Sequence, residues 1–276
     1  MGEAKLKKAT HQEIRAKEPR CIYCEHAVET IDHMPPICMF RERQRPSGME
    51  YGSCQSCNGG ARGSDVVAAV FALLHPDYGP GSWQAAHVRK LISALDQFAP
   101  GVREELSAPG KSNPLLLRRP SGLLKEAVQV HADGPRTTAY LKTFGVRLAM
   151  ALYREHVGEA LPLDGAVWCQ FALNAGMRQE HLDARISILP AHETLKQGRK
   201  QVGEQFAYRY NSDERSVVAA VAQFHKGLWM TLFASSEPRT INLMSRPEFN
   251  ELPASVLASP GKLRTLLPCG FAGHAV

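Results

Sequence analysis

Residues 21–60 read CIYCEHAVETIDHMPPICMFRERQRPSGMEYGSCQSCNGG. Two Cys-x-x-Cys pairs bound the stretch, Cys21/Cys24 and Cys54/Cys57, with residues 25–53 between them. Each pair makes a tight turn that brings two sulfurs within reach of one ion, and two such turns complete a tetrahedral thiolate shell for zinc. Four thiolates leave no coordination position for water or substrate, so the reading is a structural site. Its binding free energy would hold together a segment too short to make a good apolar core. A redox role fits either pair poorly, because no βαβ pattern surrounds them.

Between the pairs, Ala27–Ile31 is expected to form a short strand ending at Asp32-His33, and Pro35-Pro36 stops it from continuing in a ladder. An Arg-rich loop with Arg41, Arg43 and Arg45 follows, then a turn at Pro46-Ser47-Gly48, and Met49–Ser53 returns as the second strand. Asn58 comes directly after Cys57. The expected unit is a hairpin clamped at its base by zinc, with Asp32, His33 and Asn58 able to converge on one side. In an extended loop alternate residues project to one side, so the three arginines could line a phosphate track, with Arg62 as a further phosphate contact. A solvated charged loop is the competing reading.

These residues carry a resemblance. The string Cys-x-x-Cys, Asp-His-x-Pro-Pro, Cys-x-x-Cys-Asn resembles the HNH endonucleases, also called His-Me finger or ββα-metal nucleases, in the branch with four zinc cysteines. It covers about residues 18–75. The resemblance implies that His33 is the general base that draws a proton from the attacking water, a task suited to imidazole. It implies that Asp32 and Asn58 hold one catalytic Mg²⁺ or Mn²⁺ through oxygen ligands, and that Cys21, Cys24, Cys54 and Cys57 hold the structural Zn²⁺. The partner implied is DNA, with RNA as an alternative substrate, in restriction, phage defence or a mobile element under some regulatory protein or substrate restriction. One position departs from the pattern. Many relatives of this kind carry an Asn shortly before the second cysteine pair that steadies the loop bearing the base. Here the stretch is Met49-Glu50-Tyr51-Gly52-Ser53, so Glu50 substitutes as acceptor or the loop is held otherwise.

Outward from the clamp, residues 1–20 read as a basic tail or helix, with six basic and two acidic residues from Lys5 to Arg20. Gly59, Gly60 and Gly63 weaken a helix, so the regular helix is expected to begin near Ser64 or Asp65, with Ser64 as N-cap. Asp65 is read as favouring the positive end of that helix rather than as part of the site. Val66, Val67, Val70, Phe71 and Leu74 give it an apolar face that seats the hairpin, and the nuclease-like module runs over 21–76. Residues 77–136 read as a helical and linker region: Val88, Leu91, Ile92, Leu95 and Phe98 mark a helix, and 107–122 is expected to be a loop. Residues 137–250 read as an α+β accessory domain, in which Thr137 or Thr138 caps a helix buried through Leu141, Phe144, Leu148, Ala149 and Leu152. Strands follow at Trp168–Leu173, Phe206–Asn211, Val217–Phe224 and Leu228–Ala234, the last three as an antiparallel meander on that helix. Residues 251–276 read as an irregular tail. The fold class is therefore α+β: an N-terminal zinc-stabilised ββα-metal module, then a mainly helical region and a small antiparallel sheet.

Composition excludes whole-chain disorder, collagen and coiled coil: 44% of the 276 residues are hydrophobic and 22% charged. The longest apolar run, Val66–Leu74, falls well short of the ~20 residues that span a bilayer, so no membrane role is expected. No apolar stretch follows the basic first residues, so a cytoplasmic, reducing location is expected, where seven cysteines do not form a disulfide set. Cys38, Cys169 and Cys269 remain over as small buried or half-exposed thiols. A net charge of +6 suits a polyanionic partner without demanding one. The competing function is a catalytically inactive zinc-stabilised module that binds nucleic acid or protein.

Overall fold

The computed structural model describes residues 11–118, 122–174, 179–197, 200–262 and 266. Lys5, Arg199 and Cys269 lie outside them, as does half of the expected tail 251–276. The chain is mixed α+β with antiparallel sheets.

A short helix, α1, occupies residues 11–17. The expected hairpin follows, with its first strand further along than the apolar run suggests: β1 is Thr30–His33 and β2 is Glu50–Ser53, antiparallel, pairing Thr30 with Ser53 and His33 with Glu50. Two 3₁₀ turns, Ile37–Met39 and Arg41–Arg43, fill the connection. Helix α2 (Gln55–Gly60) begins directly after Cys54, whose sulfur accepts the Cys57 N–H and so serves as its N-cap.

Helix α3 (Arg62–Leu73) starts earlier than expected, and Ser64 is buried inside it with its hydroxyl donated back to the Ala61 carbonyl. Gly63 is there for room rather than for flexibility: a Cβ on it would lie 2.4 Å from the Phe98 carbonyl oxygen and 2.6 Å from the Tyr140 ring. Its neighbours are α4 (Trp83–Phe98), capped by Ser82, and α5 (Val102–Ser107). Within 107–122 the expectation of a loop fails. β3 (Ser112–Arg118) and β4 (Leu124–Val130) form a separate hairpin that buries neither face, with Leu116 and Val128 62% and 64% exposed.

Helix α6 (Pro135–Val157) starts two residues before Thr137. Thr137 does not cap it; the Glu105 carboxylate does, accepting the N–H groups of Arg136 and Thr137. The remaining elements are β5 (Ala166–Leu173), α7 (Gln179–Ile186), β6 (Ala191–Glu193), the short pair β7 (Lys196–Gln197) and β8 (Lys200–Gln201), β9 (Phe206–Ser212), β10 (Val217–Phe224), β11 (Leu228–Ser235), α8 (Pro238–Met244), α9 (Pro247–Asn250) and β12 (Ser255–Ala258). Among the described residues, the meander β9–β10–β11 is the middle of a larger sheet in the order β12-β5-β11-β10-β9-β6. Part of the expected irregular tail, β12, is thus an edge strand.

Helix α6 lies on this sheet closely enough that a Cβ on Gly145 would sit 2.8 Å from Cys169 Sγ. The core runs without a break from Ile22, Tyr23 and Phe40 through α3 and α6 to Phe224 and Leu232, across the sequence boundaries at 76 and 136. The tight turn His225-Lys226-Gly227 joins the two halves. The Gly227 N–H donates to Ala72 at the end of α3, and His225 Nε2 bonds to the Met39 carbonyl beside the hairpin.

Candidate functional site

The two cysteine turns meet. The four sulfurs lie within 4.8 Å of one another, with Cys24–Cys54 at 3.7 Å and Cys24–Cys57 at 3.6 Å. A zinc–sulfur bond of about 2.3 Å implies tetrahedral edges of about 3.8 Å, so the cluster fits one zinc ion without rearrangement. Backbone N–H groups aim at the sulfurs, Tyr23 at Cys21 and Cys57 at Cys54, as thiolate requires. A hydrogen bond from Cys57 draws the Cys21 thiol down, while burial holds the Cys24 thiol up. His26 is exposed, its Nδ1 3.3 Å from Cys24 Sγ, in keeping with its surface reading.

Strand alternation then splits the Asp32-His33 pair. Successive strand residues point to opposite faces, so Asp32 and its partner Tyr51 face the core, and His33 and its partner Glu50 face outward.

On the inner face Asp32 is 4% exposed. Its Oδ2 accepts the Tyr23 hydroxyl at 2.5 Å and Arg147 Nη2 at 2.7 Å, and its Oδ1 accepts the His33 N–H. Arg147, from the middle of α6, also holds Asp65 at 2.5 Å, so one guanidinium sits between a buried and a half-buried carboxylate. Burial would raise the Asp32 pKa, but the charge of Arg147 and the Tyr23 and Arg147 hydrogen bonds win and lower it. Asp65 goes the other way, up to about 6, through burial and the neighbouring Asp32 charge. Asn58 turns its amide Nδ2 to Thr30 Oγ1 at 3.0 Å and to the Ile31 carbonyl at 3.2 Å, tying α2 to β1. Asn58 is tied to the start of β1, while Asp32 and His33 open onto different surroundings.

On the outer face His33 Nε2 is 3.8 Å from Glu50 Oε1. His11, from α1, brings its Nε2 to 3.6 Å from Glu50 Oε2. Gly52 leaves room for the chain that follows α1: a Cβ on it would lie 2.9 Å from Glu18 Cβ.

The arginines divide too. Arg45 does not line a phosphate track. Its side chain is 2% exposed and donates to the carbonyls of Met34, Pro35, Pro46, Gly48 and Met49, with Glu50 Oε1 at 3.5 Å. The loop that follows His33 is therefore held by Arg45. The extended-loop reading fails because the 3₁₀ turn at Arg41–Arg43 breaks the alternation. Arg41, Arg43 and Arg62 are exposed.

Sequence reasoning missed Arg147 and His11. Arg147 had a signal, since it falls on the helix stripe Tyr140, Phe144, Arg147, Ala151, where a lone charge on an apolar face demands a buried partner. His11 had none in its spacing. Cys38 is half-buried and its thiol is pushed up to about 12 by burial, and Cys169 is buried in the sheet. No helix among the described residues is long and apolar enough to cross a membrane. No family model matches the chain, and no curated protein or solved structure matches it.

Proposed function

We propose that the chain is a divalent-metal-dependent endonuclease of the HNH type, hydrolysing DNA phosphodiester bonds. One observation carries the reading: a hairpin followed at once by a helix, clamped by four cysteines at its base, with His33 closing the first strand and the Asn58 amide tied to the backbone beside Asp32. In this reading His33, set against the Glu50 carboxylate, works on the attacking water, and the exposed Arg41, Arg43 and Arg62 meet backbone phosphates.

The Mg²⁺ or Mn²⁺ that the HNH resemblance implies on Asp32 and Asn58 does not fit this arrangement. Arg147 and Tyr23 take Asp32 Oδ2, the carboxylate is buried, and Asn58 directs its amino group at the strand. No step is routed through that ion. The same ion pair favours a second reading, a catalytically inactive zinc-stabilised module that binds nucleic acid or protein.

Nicking of supercoiled plasmid in the presence of Mg²⁺ or Mn²⁺, by wild type and by His33→Ala, decides between them. The expected result is nicking by the wild type alone, with the zinc of the cysteine clamp retained in the variant. Equal nicking by both removes His33 from the chemistry. Silence on DNA with cleavage of RNA moves the substrate to RNA, and silence on both favours the binding module.

A further inference from the structure

We infer that His11, His33 and Glu50 form a second metal site, for a first-row divalent transition ion of which zinc is the leading example. The three side chains come from separate elements, α1, β1 and β2, and each offers one ligand atom, all within 4.8 Å of one another. The pairs His11–Glu50 and His33–Glu50, at 3.6 and 3.8 Å, are too long for hydrogen bonds, which close at about 2.7–3.2 Å. They are close to the roughly 3.0–3.4 Å that separates two ligands of one ion with bonds of about 2.1 Å. His11 Nε2 is buried without a hydrogen-bond partner, a cost that coordination removes.

The donor set selects the ion. Two imidazoles and one carboxylate suit zinc, iron(II) or manganese rather than magnesium, which prefers oxygen throughout. Three protein ligands are also the number found at sites that keep a coordination position open, in contrast to the closed thiolate shell of the clamp. Arg45 stands 3.5 Å from Glu50 Oε1, so its charge works against a cation there. Glu50 Oε2, on the His11 side, is the oxygen left to the ion. With a single carboxylate ligand and Arg45 alongside, the bound ion keeps excess positive charge and calls for an anionic fourth ligand, hydroxide or a phosphate oxygen.

The site shares His33 with the hydrolytic reading, but it is tested separately, because ion binding is measured without nucleic acid. The full-length protein is dialysed against micromolar zinc and its metal content determined per chain, for wild type, His11→Ala and Glu50→Gln. About two zinc ions are expected in the wild type, one in the clamp and one here, and about one in each variant. His11 lies at the start of α1, away from the core, so His11→Ala keeps the fold even if Glu50→Gln disturbs Arg45. One zinc in the wild type, or two in His11→Ala, overturns the site.

Discussion

The two faces of the β1–β2 hairpin carry the same kinds of side chain to different ends. Facing inward, Asp32 meets a permanent cation, Arg147, and is closed off from solvent. Facing outward, Glu50 meets two imidazoles at distances that leave room for an ion between them, with Arg45 3.5 Å from its Oε1. Asp32 is held by a hydrogen bond from a guanidinium on one oxygen, whereas Glu50 has Arg45 only near Oε1 and turns Oε2 toward His11. The HNH resemblance takes Asp-His as one functional unit, and strand alternation separates its halves.

The largest expected effect comes from breaking the inner face. Arg147→Met leaves Asp32 and Asp65 buried without a cation and should cost about 3–5 kcal/mol, read by chemical denaturation. Adding Asp32→Asn and Asp65→Asn should recover most of that loss, since a buried pair is costly chiefly when half of it is missing.

Acid should separate the halves next. His225 is buried, with burial drawing its pKa down to about 4 from 6.5, and it bonds to the Met39 carbonyl beside the hairpin. A histidine depressed in the folded state adds stability above its unfolded pKa and loses it as pH falls through the folded one. Stability should therefore drop by roughly 3 kcal/mol between about pH 6.5 and pH 4. His225→Gln should flatten that slope in a pH series of thermal or urea unfolding.

Arg45→Ala strips five carbonyls of their donor and should cost about 2–3 kcal/mol. Because it frees the loop after His33, it should also weaken zinc uptake at His11, His33 and Glu50 while sparing the cysteine clamp. The smallest stability effect belongs to His33→Ala, within about 1 kcal/mol of wild type because the side chain is half-buried and outside the core. Its effect on nicking should be complete.

The clamp and the hairpin were legible in the sequence because their determinants are local: the cysteine spacing, the prolines that end β1, and Asn58 after the last cysteine. Helices with strong apolar stripes, α3, α4 and α6, were legible for the same reason. What failed was set by tertiary partners. The start of α6 depends on Glu105, and the β3–β4 hairpin buries no face, so its pattern gave little to read. Arg45 resembles any loop arginine until the carbonyls it collects are in view. His11 joins His33 and Glu50 only through the packing of α1 against the hairpin, which its own spacing does not show.

Anomalous diffraction at the zinc edge from crystals of the zinc-loaded full-length protein tests the central contrast most directly. Two peaks are predicted, one among Cys21, Cys24, Cys54 and Cys57, the other between His11, His33 and Glu50, with Arg147 still bridging Asp32 and Asp65. A second peak between Asp32 and Asn58, with Arg147 displaced, would contradict it.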